Sequence, residues 1–245
     1  MDKIITYETL RSFAYSNDAI CKQPVRGVVL SFTGLGQKDM FHEDSETDIR
    51  YAKQGIVRIV PYYNPWCWMN RQTVDFVDEI LDVLFSHYNL RKDTPVFSTG
   101  GSMGGLCALI YTAKGKYTPK VCVANCPVCD LPYHFTERPD LPRTLYSAFL
   151  GEEGTLEEIL ERYSPLHLAQ KGEMPKVEYH VFHCTEDQLV NKQIHGDAFV
   201  NEMKKSHKIT YYPVLGEGHC QLPPATKEKF RSIPEEYLAE SEKNR

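Results

Sequence analysis

Residues 94–111 read Thr94-Pro-Val-Phe-Ser-Thr-Gly-Gly-Ser-Met-Gly-Gly-Leu-Cys-Ala-Leu-Ile-Tyr111, a short β-prone run that meets an apolar helix through glycines flanking one serine. Val96, Phe97 and Thr99 favour a pleated strand, and Leu106, Ala108, Leu109 and Ile110 begin a helix, so the reversal between them must be tight. Gly100 and Gly104 hold the outer places of a G-x-S-x-G pattern, where a β-carbon would collide with neighbouring backbone. Such a turn strains the serine and lifts its hydroxyl clear of the sheet. The amides that follow point into the same space at a helix N-terminus, where negative charge is favoured. The stretch reads as a nucleophile elbow built around Ser102. A phosphate cradle fits less well, because no lysine follows the glycines and the spacing is not G-x-G-x-x-G.

Toward the N-terminus, Gly27-Val-Val-Leu-Ser-Phe32 reads as a buried strand that runs into Thr33-Gly34-Leu35-Gly36. That tetrapeptide serves either as a turn needing positive φ or as a source of amides for an anion. Residues 39–53 are expected to contain a helix, ended by Gly55 before the strand Ile56-Val-Arg-Ile-Val60. Pro61-Tyr-Tyr-Asn-Pro-Trp-Cys-Trp-Met-Asn70 holds both tryptophans. Its prolines prevent regular structure, which puts Tyr63, Trp66 and Trp68 on a loop at the carboxyl end of a strand, where open α/β sheets bind ligands. They either wall an acyl or leaving-group pocket or pack the loop onto the domain. Residues 71–87 place Val74, Val77, Leu81, Leu84 and Phe85 on one helical face. The spacing in residues 4–15 decides for neither strand nor helix.

Downstream of the elbow, Lys120-Val-Cys-Val-Ala124 reads as another strand. Cys122, Cys126 and Cys129 share the C-x3-C-x2-C spacing of some iron–sulfur sites, but Cys122 is committed to one face of that strand, and no second C-x2-C completes a zinc site. No metal and no cofactor is expected. Over residues 131–172 the strand–helix alternation lapses, with Pro132, Pro139, Pro142 and Pro165 scattered through it and an aromatic-rich patch of Tyr133, His134, Phe135, Tyr146 and Phe149. A small helical cap accounts for this, as does a surface excursion. Alternation resumes with Val177-Glu-Tyr-His-Val-Phe-His183, the loop Cys184-Thr-Glu-Asp187-Gln-Leu-Val190, a helix over 191–205 and the strand Lys208-Ile-Thr-Tyr-Tyr212. The glycine-rich Leu215-Gly-Glu-Gly-His219 follows, and a last helix leads into a charged tail, residues 240–245, expected to fray.

A chain of 245 residues accommodates one α/β domain, and 42% apolar with 25% charged residues is the composition of a soluble globular protein. A net charge of -5 leaves no footprint for nucleic acid or an anionic membrane. No apolar run is long enough to span a bilayer, and residues 1–6 are not followed by a signal-peptide core, so a cytoplasmic protein is expected, with its eight cysteines as free thiols.

Acyl transfer by serine needs a base for the hydroxyl proton and an acid to orient that base. Of nine histidines, His219 lies in a glycine-rich loop after the final expected strand. Asp187 lies just after the preceding one, with Glu186 as the lesser alternative. The chain resembles the α/β-hydrolase fold over most of its length, and more narrowly the catalytic domain of the prolyl oligopeptidase group and its small esterase relatives. The resemblance rests on Gly100-Gly-Ser102-Met-Gly104-Gly, Tyr163-Ser-Pro-Leu-His-Leu-Ala169, Thr185-Glu-Asp187-Gln-Leu-Val190 and Gly216-Glu-Gly-His219. It implies a mostly parallel central sheet with helices on both faces and a small cap at about 131–172. It further implies a catalytic triad of Ser102 as nucleophile, His219 as general acid and base, and Asp187 as orienting acid. The amides of Met103 and Leu35 become oxyanion-hole donors, with Gly34 in reserve. Thr33 stands where many relatives carry histidine, and Cys184 replaces the usual glycine.

That group contains both peptidases and esterases, so the fold does not decide the substrate. The length leaves no room for the β-propeller of the large oligopeptidases, and no acidic anchor for a peptide amino group is identifiable. The expected partner is therefore a small-molecule ester, cleaved through an acyl-enzyme. The alternatives are a small acylaminoacyl or dipeptidyl-type peptidase, or a catalytically inactive scaffold.

Overall fold

Strand β1 spans Ala14–Ser16 and β2 Gly27–Phe32, and along β2 successive side chains enter two different cores: Val28 and Leu30 pack in one, Val29 in the other. This period of two puts a core on each face of the sheet, as a strand buried on both sides requires. The computed structural model describes residues 4–243, so residues 1–3 of the N-terminal stretch and residues 244–245 of the charged tail lie outside it. The remaining strands are β3 (Ile56–Pro61), β4 (Val96–Gly101), β5 (Val121–Asn125), β6 (Glu178–Cys184) and β7 (Lys208–Val214). They form one seven-stranded sheet in the order β1-β3-β2-β4-β5-β6-β7, parallel except for β1 against β3.

Helices α1 (Glu46–Lys53), α2 (Arg71–His87) and α3 (Met103–Lys114) alternate with the early strands. The interruption at 131–172 folds into four short helices, α4 (Leu131–Glu137), α5 (Leu141–Ala148), α6 (Leu156–Arg162) and α7 (Pro165–Gln170), and α8 (Ala198–Met203) and α9 (Pro224–Lys243) complete the chain. The larger core receives Val77 and Leu81 of α2, Leu106 of α3 and Phe199 of α8, while the other receives Tyr51 of α1 and Ile233 and Leu238 of α9. Helix α2 has the expected bounds because Asn70 caps it, accepting from Thr73 N at 3.0 Å, and because Val74, Val77, Ile80, Leu81, Leu84 and Phe85 bury one face. Truncating the fully buried Leu81 to alanine would cost about 2–5 kcal/mol.

Three departures from the sequence expectation have local causes. Over 4–15, the undecided stretch forms a 3-10 turn, Leu10–Ser12, and then enters β1. Over 191–205, regular helix is confined to α8, and Gln193–Asp197 is a π-helical turn. There His195 Nδ1 accepts the amides of Cys129 and Asp130, each at 3.1 Å, and Gly196 lies so close to His183 that a β-carbon would sit 2.3 Å from its Nδ1. At the C-terminus α9 continues to Lys243, held by buried Leu238 and an Arg26–Glu242 ion pair, through residues expected to fray. The 131–172 segment is tied to the loop after β3 by Trp68 Nε1 donating to Thr144 Oγ1 at 3.0 Å and Asn70 Nδ2 to the Ala148 carbonyl at 2.6 Å.

Candidate active site

The segments that follow the carboxyl ends of β2, β4, β6 and β7 supply the candidate groups. After β4 the chain turns through Ser102 with φ 58° and ψ -128°, a conformation that L-residues rarely adopt. Its neighbours hold it there: a β-carbon on Gly100 would lie 2.1 Å from the Gly104 carbonyl oxygen, and one on Gly104 would lie 2.4 Å from the Phe32 carbonyl oxygen. Strand and helix therefore approach as closely as bare backbone permits. The Ser102 amide is used structurally, donating to the Asn125 carbonyl at 2.9 Å. The Met103 amide opens α3 and has no intrahelical acceptor.

The 33–36 loop comes against this turn, with the β-carbon position of Gly34 3.9 Å from Ser102 Cβ. Gly36 N–H is committed to the Pro65 carbonyl at 3.0 Å. Thr33 is clamped by Tyr63, whose hydroxyl accepts from Thr33 N at 2.6 Å and donates to Thr33 O at 3.0 Å. Leu35 and Gly34 lie between these two anchors and share a pocket lining with Ser102.

Asp187 and His219 are brought together by a continuation of the β6–β7 pairing beyond the strands themselves. Thr185 N donates to Val214 O at 2.9 Å, Glu186 N to Glu217 O at 3.0 Å, and Gly216 N to Thr185 Oγ1 at 2.9 Å. In the Asp187 loop, Oδ1 accepts from the amides of Leu189 (2.9 Å) and Val190 (3.0 Å), which leaves Oδ2 to meet His219 Nδ1 at 2.7 Å. The Asp187 side chain is fully buried. Burial alone would push its carboxyl up, but hydrogen bonds from His183, His219 and the two loop amides outweigh that and hold it far below the usual carboxylate range. Glu186 is exposed and does not share His219.

Ser102 and His219 line one pocket of about 470 Å³, together with Gly34, Leu35, Gly101, Trp68, His134, Arg138, Leu189, Val190 and Cys220. Ser102 Oγ and His219 Nε2 are not hydrogen-bonded to each other in this arrangement. Two larger hollows, of about 700 and 630 Å³, lack both Ser102 and His219. Of the three loop aromatics, only Trp68 reaches the Ser102 pocket. Tyr63 instead lines the 700 Å³ hollow while clamping Thr33, and Trp66 lies 48% exposed. Of the two readings of 61–70, a pocket wall or loop packing, the first applies to Trp68 alone, because the turn at Cys67–Asn70, with Trp68 at φ 46°, directs that indole inward against α5.

Helix α4 contributes a further group, His134, which the sequence showed only as part of an aromatic-rich patch. His134 Nδ1 lies 2.6 Å from Glu137 Oε2, an oxygen also met by His195 Nε2 at 3.0 Å, while Glu137 Oε1 accepts from Asn191 N at 2.8 Å. Burial would raise the Glu137 carboxyl, but these hydrogen bonds hold it well below its ordinary value, and burial keeps His134 toward its neutral form. An ionised carboxylate only accepts, so His134 donates through Nδ1, and Nε2 is left as the free acceptor of a residue that lines the pocket. The i, i+3 spacing of His134 and Glu137 on one helix was the available signal. The thiols of the C-x3-C-x2-C run diverge: Cys122 and Cys129 pack in the larger core and Cys126 in the other.

No family model matches the chain, and no curated protein matches it by sequence. Solved structures do. A puromycin-hydrolyzing peptidase of Mycobacterium tuberculosis matches with a TM-score of 0.68 and 16% identity, over 88% of this chain and 35% of that one. Esterase B from Lactobacillus rhamnosis matches at 0.66 and 12% identity, over 91% of this chain and 79% of its own. An S-formylglutathione hydrolase from Agrobacterium tumefaciens matches at 0.67 and 18% identity, over 93% and 88%. The chain thus spans about a third of the peptidase and most of the two smaller enzymes. At these identities the likeness is one of fold: the chain has the α/β-hydrolase fold, the fold of these esterases and peptidases.

Proposed function

We propose that this chain is a serine hydrolase that cleaves a small carboxylic ester through an acyl-enzyme. The observation that carries the reading is the buried Asp187 carboxylate 2.7 Å from His219 Nδ1, with His219 and a strained Ser102 facing the same pocket. With Nδ1–H donated to Asp187, Nε2 bears the lone pair that takes the Ser102 proton as Oγ attacks the ester carbonyl. The Oγ–Nε2 contact forms with substrate in place, as catalytic hydrogen bonds often tighten only then. The Met103 and Leu35 amides face the charge that develops on the carbonyl oxygen, with Gly34 N–H in reserve. Collapse of the tetrahedral intermediate breaks the carbonyl–alkoxy bond, and His219 returns the proton to the departing alcohol. Water then repeats the cycle: His219 takes its proton, the hydroxide oxygen bonds the acyl carbon, and Ser102 leaves protonated.

The pocket lining supports an ester rather than a peptide with a free amino terminus. Its lining side chains are the apolar Leu35, Trp68, Leu189 and Val190 with His134 and Arg138, and no carboxylate among them could pair with a peptide's terminal ammonium. A volume of about 470 Å³ suits a small ligand. The test offers purified protein p-nitrophenyl acetate or butyrate beside aminoacyl-nitroanilides, with Ser102→Ala as control. Ester turnover lost in Ser102→Ala is expected. Turnover of the anilides alone would establish the peptidase alternative instead. Absence of fluorophosphonate labelling of the native protein at neutral pH would leave an inactive scaffold.

A further inference from the structure

Cys126 Sγ, Cys220 Sγ and a ring nitrogen of His219 lie within 4.8 Å of one another, with His219 and Cys220 in the lining of the Ser102 pocket and Cys126 buried. Cys220 Sγ is 3.7 Å from His219 Nε2. In a tetrahedral zinc site with Zn–S of about 2.3 Å and Zn–N of about 2.0–2.1 Å, the sulfur-to-nitrogen edge is about 3.6 Å. The fold has therefore set this pair near coordination distance.

Two further features belong to a metal site rather than to chance proximity. Cys126 Sγ accepts backbone N–H bonds from Cys184 and Cys220, each at 3.4 Å, and amides aimed at a sulfur stabilise it as a thiolate ligand. His219 gives its other nitrogen to Asp187 at 2.7 Å, the carboxylate–histidine arrangement that orients and strengthens an imidazole ligand. His219 and Cys220 both line the pocket, which supplies a route from solvent and an open side for a fourth ligand. Two other clusters offer less. His134, Glu137 and His195 already spend their facing atoms on one another, and the free Nδ1 of His183, beside Cys126 and Asp187, is sealed behind Gly196.

We propose that Cys126, Cys220 and His219 form a binding site for Zn²⁺ or a similar thiophilic divalent cation, and that occupancy blocks hydrolysis by taking the Nε2 lone pair needed for the Ser102 proton. Both sulfurs bind as thiolates, so whatever proton Cys126 or Cys220 still carries leaves to solvent. The metal is an inhibitor here, not a cofactor of turnover. The inhibitory consequence rests on the serine-hydrolase reading, whereas the binding does not.

Binding and inhibition are therefore read separately. Native protein and Ser102→Ala are titrated with Co²⁺ and followed by absorption, with Zn²⁺ as competitor. The expected result is one equivalent bound, a thiolate-to-cobalt charge-transfer band that zinc abolishes, and the same band in Ser102→Ala. Cys220→Ser and His219→Ala should each weaken binding by at least about 10-fold, whereas Cys21→Ser should not change it. Absence of the band in native protein, or its survival unchanged in both Cys220→Ser and His219→Ala, overturns the proposal. In the ester assay, Zn²⁺ should inhibit reversibly with EDTA, and the inhibition should weaken in Cys220→Ser. Inhibition of undiminished potency in Cys220→Ser overturns it as well. Metal binding without ester turnover would leave the site standing and the hydrolase reading fallen; turnover without binding would do the reverse.

Discussion

Replacing Asp187 by asparagine tests the proposed mechanism most directly, because the structure states what each oxygen does. Oδ1 accepts two backbone amides, from Leu189 and Val190, and Oδ2 accepts from His219 Nδ1 at 2.7 Å, with His183 Nε2 farther off at 3.5 Å. Asparagine has one acceptor oxygen and one NH₂ group. If its oxygen keeps the two loop amides, the fold of the loop survives and the NH₂ faces His219. Nδ1 must then accept, its proton moves to Nε2, and the lone pair that would take the Ser102 proton is gone. The loss is one of tautomer, not of shape, and by analogy with other serine–histidine–acid sites it amounts to about 10⁴ in kcat, or about 5 kcal/mol of barrier. The assay is steady-state hydrolysis of p-nitrophenyl butyrate by native and Asp187→Asn protein at neutral pH, with thermal melts run in parallel. A variant that melts normally yet keeps more than about a tenth of native kcat would show that Asp187 does not orient the base.

Four other outcomes are expected. Gly104→Ala should unfold at markedly lower urea or fail to accumulate, since its β-carbon would sit 2.4 Å from the Phe32 carbonyl oxygen; a melting temperature within a degree or two of native would refute the close approach. Tyr63→Phe strips the Thr33 amide of its acceptor, costing about 1–3 kcal/mol, and should lower kcat more than it raises KM by loosening the 33–36 loop; unchanged kcat would detach Tyr63 from that loop. The Glu137 carboxyl is held below its unfolded value, so it contributes stability that is full above the unfolded carboxylate pKa of about 4.3 and is lost as pH falls through the folded value. Urea midpoints between pH 7 and 3 should fall less steeply in Glu137→Gln than in native protein, and parallel curves would contradict the assignment. In mild urea, ester turnover should disappear at a lower concentration than the far-ultraviolet circular dichroism; coincident transitions would refute that order.

The elbow was legible because its chemistry is local: a strand, a helix and two glycines adjacent in sequence suffice to demand a turn that strains Ser102. Strand assignments held where both faces are buried, as in β2 and β5, and the long amphipathic α2 announced both its ends. What was hidden depends on partners remote in sequence. Nothing near residue 195 indicates that its imidazole will hold the amides of Cys129 and Asp130 and break a helix into a π turn. Cys126 looked toward Cys122 and Cys129 by spacing, yet the sheet carries those two thiols to the opposite face and brings up Cys220 from the end of β7. Trp66 and Trp68 are two positions apart, and only the backbone of their turn determines which one is buried against α5.

The candidate groups also differ in how firmly the sheet holds them, which is why activity should fail before the fold does. Ser102 follows β4, a strand flanked on both sides by parallel neighbours and buried along nearly its whole length. His219 follows β7, the edge strand, where only Val214 is buried. Its orientation rests on Asp187, and Asp187 is placed by three hydrogen bonds that join the loops beyond β6 and β7. An edge that buries little apolar surface opens at lower free energy than a central strand. Opening there would separate the Thr185 and Glu186 amides from their partners and let His219 swing from Asp187 while the elbow is still intact. His219 is thus the least secured of the candidate groups, and the extended pairing between the two loops compensates for the weakness of the strand that carries it.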